Sequence, residues 1–216
     1  MKFSRFYFVI QSILLMLLLG SVYAWGVFRV EAETTYQINA SLSGLPYMVS
    51  LVSYAGAMLI AGQWMNKYRK QIIIVGVVLF VGGFWLSGLV DNFYVLIFTY
   101  GVLLGSGVGL LYGVPMYLVQ RIFDKRIGLY SGLILMGFGL SNTMMTPIIA
   151  TLLGTQTIQY TMMMMGWISL GVLLICIWPL FQSIPVEIKQ DHQVEKTITT
   201  YDHPSFRSLY VVYVLS

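Results

Sequence analysis

The chain has 216 residues, 58% of them hydrophobic and only 9% charged, with a mean hydropathy of +0.80. Soluble domains carry about 25% charged residues, so this composition excludes a protein wetted on every side and points to lipid as the solvent. The net charge of +4 does not argue for a nucleic-acid partner, because the basic residues sit in short clusters between apolar runs, as at a membrane surface.

A hydrocarbon core about 30 Å thick requires about 20 predominantly apolar residues per spanning helix. Residues 6–28 follow Lys2 and Arg5 and carry no charge over 23 positions. That is longer than a signal-peptide core of roughly 7–15 residues, and no small-x-small cleavage site is evident, so it reads as a first spanning helix. The next uncharged stretch opens with the polar residues 34–41, which places its helix at 42–65. Further helices are predicted at 71–90 and 93–121. The uncharged run 127–186 is too long for one helix, and the polar break at 154–159 divides it into 127–153 and 160–182. The expectation is an all-α membrane protein of six transmembrane helices in residues 1–182.

Eleven of the twelve basic residues fall on one side of this arrangement, and only Arg29 falls on the other. The positive-inside rule puts both ends of the six-helix unit in the cytoplasm. Residues 183–205 are polar and mixed in charge, as expected of a cytoplasmic linker; residues 206–216 turn apolar again, as the truncated start of a seventh helix. The expected picture is half of a larger design.

No helix holds a charge in its middle, an Asp pair, a histidine or a set of metal ligands, so neither an enzyme nor a cofactor or metal site is expected. Cys176, alone in an apolar run, offers no disulfide, and the four methionines at 162–165 read as lipid contact and packing. His192 and His203 lie in the linker and read as solvated. Gly101, Gly105, Gly109 and Gly113 recur every four residues, a smooth stripe that lets helix backbones approach closely and rock. The fifth helix offers Gly128, Gly132, Gly137 and Gly139. Pro115 and Pro147 remove backbone hydrogen bonds inside their helices and are expected to kink them. Tyr23, Trp25, Tyr112 and Tyr117 admit two roles, an interfacial belt or the wall of a cavity for a small polar solute.

These segments resemble the N-terminal half of a major facilitator superfamily transporter, and within it the oxalate:formate antiporter group. The resemblance is carried by GSVYAWGVF (20–28), GVLLGSGVGLLYGVPM (101–116), FDKRIGLYSGLILMGFGLS (123–141) and HPSFRSLYVVYVL (203–215). It implies two three-helix repeats and a small mono- or dicarboxylate bound near mid-membrane between two halves that alternate in access. It further implies Tyr23, Trp25 and Tyr112 as cavity residues and cytoplasmic loop motifs at Asn66, Lys67, Arg69 and at Asp124, Lys125, Arg126. In the first loop, GQWMNKYRKQ (62–71) has Asn66 where the superfamily carries Asp, Arg69 for Gly and Gln71 for Arg. A tyrosine common in the group's fifth helix appears here as Phe138. The basic half of an anion site is absent, so a C-terminal partner half or self-association in the lipid bilayer is expected for transport. The competing expectation is a noncatalytic, transport-incompetent six-helix membrane protein.

Overall fold

A computed structural model describes residues 5–123 and 125–182, with side chains over 6–123 and 125–177. Asp124, the 183–205 linker and the 206–216 segment lie outside the described residues. Among those described, every regular element is helical.

The first rod, α1, joins Arg5–Leu19 and Trp25–Thr35 through a 3-10 turn at Gly20–Ala24. Its apolar span, Phe6–Thr35, is 30 residues, or about 45 Å at 1.5 Å per residue. It outruns both the bilayer core and the predicted end at 28. The charged turn that follows stays helical because Arg29 and Glu33 pair at i,i+4, with Nε 3.1 Å from Oε1. A separate turn, Ala40–Ser43, is capped by the Asn39 side chain, which accepts from the Leu42 N–H at 2.9 Å.

The rod Leu45–Gly88 is 44 residues, with non-helical dihedrals at Tyr68 (φ −121°, ψ 28°). Its contacts with the helix that follows, α4 (Phe93–Ile122), show what happens there. Gly101 lies against Pro46 and Val49, Gly105 against Ser50, Gly109 against Tyr54 and Ala57, and Gly113 against Ala61 and Met65. Both numbers rise together, so 45–67 (α2) runs parallel to α4. Gly83 meets Leu104, Gly107 meets Phe80, and Gly76 meets Leu110 and Leu111. Here one number falls as the other rises, so 69–88 (α3) runs antiparallel to α4. One straight rod cannot do both; the chain turns back on itself at Tyr68. With α5 (Ile127–Leu153) and α6 (Ile158–Gln182), the described residues form six helical segments.

The remaining directions follow in the same way. Phe8 meets Phe123 and Tyr100 meets Val22, so α1 is antiparallel to α4. Ile13 meets Gly137 and Gly20 meets Ser141, so α1 and α5 are parallel. Gly88 meets Gln159 while Trp85 meets Gly166, so α3 and α6 are antiparallel. Odd helices run one way and even helices the other. Lys67, Arg69, Lys70, Arg121, Lys125 and Arg126 therefore share one end, and Arg29 lies at the opposite end.

Helix α4 contains a π-helical stretch, Ile97–Leu104, and then continues as α-helix through Pro115. Helix α5 starts after Arg126, which holds a left-handed conformation (φ 58°, ψ 32°) that β-carbon-bearing residues seldom adopt. That residue lies in the short connection between α4 and α5.

Candidate functional site

Two aromatic groups flank α1, and the turn that carries them separates their roles. Residues two apart on a helix point to nearly opposite sides, so Tyr23 and Trp25 diverge. Trp25 is 2% exposed; its indole Nε1 donates to the Ser43 carbonyl at 2.8 Å and its ring packs 4.5 Å from Tyr100. Phe28, Phe80, Phe84 and Tyr100, all fully buried, complete that cluster between α1, α3 and α4. The Tyr100 hydroxyl donates to the Val22 carbonyl at 3.2 Å, so its polar tip is satisfied inside the core. Trp25 is thus placed away from the cavity position that resemblance implied for it: its donor is engaged and its ring is enclosed.

Tyr23 turns the other way. Its ring meets Phe138 of α5 edge-on at 5.2 Å and Tyr47 of α2 at 6.2 Å. Tyr112 of α4 meets the same Phe138 at 5.1 Å and Tyr54 of α2 at 5.5 Å. Four helices therefore converge on one aromatic cluster, every member of it only half-buried. Tyr112 lies ten residues before the end of α4 and Phe138 eleven after the start of α5, or about 15 Å from those ends. That is about half of a 30 Å hydrocarbon layer. Tyr23 and Tyr112 are brought into one cluster through Phe138. Tyr47 and Tyr54 complete it; their spacing of seven, which puts both on one face of α2, was the available signal.

Both ends of the bundle carry polar fastenings. At one end Arg29 donates to Ser43 Oγ and to the Ala40 carbonyl, each at 2.8 Å, while Ser43 Oγ donates to Glu33 Oε1 at 2.6 Å. Nearby the Tyr36 hydroxyl donates to the Val90 carbonyl at 2.9 Å; burial first, and the Asp91 carboxylate second, push its phenol above the ordinary value. At the other end Asn66 Oδ1 accepts from the Tyr117 hydroxyl and from Arg121 Nη2, the latter at 2.7 Å. Arg121 also lies over the Tyr117 ring, 4.4 Å from its centroid. No group of three His, Cys, Asp or Glu side chains gathers among the described residues.

Alternating helix directions, basic residues at one end and an aromatic cluster at mid-depth accompany a match to the sequence profile of the Major Facilitator Superfamily over residues 6–214. The chain belongs to the Major Facilitator Superfamily. It is 27% identical over 176 residues to the oxalate:formate antiporter of Oxalobacter formigenes, covering 81% of this chain and 42% of that protein. It is 32% identical over 162 residues to monocarboxylate transporter 14 of Homo sapiens, covering 72% of this chain and 31% of that one. The MFS-type transporter eupM of Phoma sp is 27% identical over 159 residues, 72% of this chain and 56% of the relative. The chain thus spans between about a third and just over half the length of these relatives.

In the superfamily frame, the Gly101–Gly113 stripe is a close-packed seam. A β-carbon on Gly105 would lie 2.6 Å from the Ser50 carbonyl oxygen, and on Gly101 2.8 Å from the Val49 side chain. Pro115 is buried beside this seam. Asn66, helical in α2, bridges α2 to α4; Lys67 lies 5.0 Å from the Tyr68 ring centroid at the turn, and Lys125 is exposed.

Proposed function

We propose that this chain forms the N-terminal half of a transporter in the cell membrane that moves a small organic anion, a mono- or dicarboxylate, by alternating access. The observation that carries the reading is the half-buried aromatic cluster in which tyrosines from α1, α2 and α4 gather around Phe138 of α5, with Tyr112 and Phe138 at mid-depth. Tyrosine suits such a wall: its ring tolerates a water-poor cavity and its hydroxyl donates to a carboxylate oxygen. The names of the antiporter and the monocarboxylate transporter support this choice of substrate.

In this reading Tyr23 and Tyr112 contact the anion, and each carboxylate gains donors here but no counter-charge. The cation comes from a second six-helix half, either a C-terminal partner or another copy. Rigid-body rocking of one half against the other exposes the site to each side in turn, and the close α2–α4 seam keeps this half rigid while it moves. The basic end faces the cytoplasm. This is a transporter and not an enzyme: nothing in its role requires a bond to be made or broken.

The test is uptake of radiolabelled oxalate, formate and lactate into proteoliposomes, comparing this chain alone with the chain joined to a complete C-terminal half from a relative. Uptake by the joined form only is expected. Uptake by the chain alone would assign the second half to another copy. Absence of uptake from both correctly folded preparations would sink the carboxylate reading and favour a transport-incompetent membrane protein.

A further inference from the structure

Helix α5 has two exposed faces of opposite character. Leu129, Met136, Leu140 and Met144 are each about half exposed and share one side, as lipid contact requires. Asn142 and Thr146 lie two residues after Leu140 and Met144, about 200° around the helix. They continue by steps of four from Phe138, the centre of the tyrosine cluster, and Asn142 is exposed. Gly128 and Gly139 are neighbours on that side, and a β-carbon added to either would meet nothing within 4 Å; Leu135 is the apolar exception. An amide facing hydrocarbon is costly, so this side fits a wet cavity and not lipid.

The amide is also oriented. Thr146 Oγ1 donates to Asn142 Oδ1 at 3.0 Å. With the oxygen engaged by that hydroxyl, the two Nδ2 hydrogens remain as donors, and a carboxamide nitrogen serves only acceptors. Its depth is fixed by its neighbour: a β-carbon on Gly20 would touch Ser141 at 2.5 Å. Asn142 therefore lies level with the 3-10 turn that carries Tyr23.

We propose that Asn142 contacts the substrate, donating from Nδ2 to a carboxylate oxygen beside the tyrosine cluster, with Thr146 holding the amide in that orientation. The contact rests on the proposed carboxylate transport and adds a neutral donor to it. An amide binds a carboxylate without itself titrating, so this contact is indifferent to pH between the carboxylate range and the tyrosine range.

The test uses whichever of the two uptake preparations is active. Asn142→Leu should raise the half-saturating carboxylate concentration about tenfold, the loss of one hydrogen bond to a charged group. Asn142→Gln, which keeps the donor, should recover most of that loss, and Asn142→Asp should abolish uptake by repelling the anion. Placement is read separately in a Cys176→Ser background. Asn142→Cys should react with a membrane-impermeant thiol reagent and be protected by the carboxylate, whereas Met136→Cys should stay unreactive. No labelling at 142, or unchanged kinetics in Asn142→Leu with normal uptake, would overturn the contact alone. No carboxylate uptake by the unsubstituted protein would overturn the functional reading and the contact with it.

Discussion

Helices α4 and α5 are both rich in glycine, yet the glycines do different things. Along α4, Gly101, Gly105, Gly107 and Gly109 each press on backbone or β-carbon atoms of α2 or α3, leaving no room for a side chain. Along α5, Gly137 packs against Ile13, while Gly128, Gly132 and Gly139 face open space. The first set makes a closed seam between α4 and its neighbours α2 and α3. The second set leaves a smooth, uncovered strip beside the polar Asn142–Thr146 pair. Glycine content alone does not distinguish a closed seam from an open strip; the neighbouring helix does.

The largest effects should come from filling both places with the same side chain. Gly105→Leu forces a bulky chain into the Ser50 backbone and should abolish folding, read as loss of the monodisperse peak in detergent. Gly132→Leu should leave folded yield unchanged, because nothing stands in its way. Equal yields from the two variants would break the contrast. Where α4 and α5 meet, Tyr112→Phe keeps the edge-on contact with Phe138 and removes only the hydroxyl. In a preparation active for uptake, its half-saturating concentration should rise about tenfold if the hydroxyl meets the anion; unchanged kinetics would remove Tyr112 from the site.

The seam was legible before the strip because a repeat of four is itself a statement about one helix face. Gly101, Gly105, Gly109 and Gly113 announce a contact surface, although not which helix fills it. The approximate limits of most helical segments were legible for a similar reason: lipid imposes a length. What lay beyond reach was azimuth. Tyr23 and Trp25 are near neighbours in the sequence, and only the packing of α1 reveals that one enters a closed core while the other faces the tyrosine cluster. Composition likewise marks where apolar sequence ends and not where a helix ends, so the uncharged run 6–28 stops seven residues short of Thr35. The turn at Tyr68 fell among basic residues, which marked an end of the bundle but not how tightly α2 folds back into α3.

Smaller substitutions sharpen the contrast to a sign. Gly109→Ala places its methyl against the Tyr54 carbonyl and 2.8 Å from the Ala57 β-carbon, and should destabilise by about 2 kcal/mol. Gly132→Ala meets nothing and should stabilise by about 0.5–1 kcal/mol, because alanine loses less backbone freedom in a helix. Thermal unfolding in detergent measures both. Shifts in the same direction would mean that the α5 strip is covered after all.

The smallest effect should lie at the basic end of the α2–α4 seam. Asn66 holds Tyr117 and Arg121 through a neutral oxygen. Asn66→Asp would keep both bonds and add a charge-assisted contact with the guanidinium. Arg121 is exposed, so solvent screens the pair and the gain should be only about 0.2–1 kcal/mol, fading as salt is raised. A stabilisation that persists in high salt would show the site to be drier than its exposure indicates. A destabilisation would show that Asn66 also uses its amide hydrogens there, a role that aspartate cannot fill. Either result bears on the seam itself, because this bridge joins α2 and α4 at their basic ends.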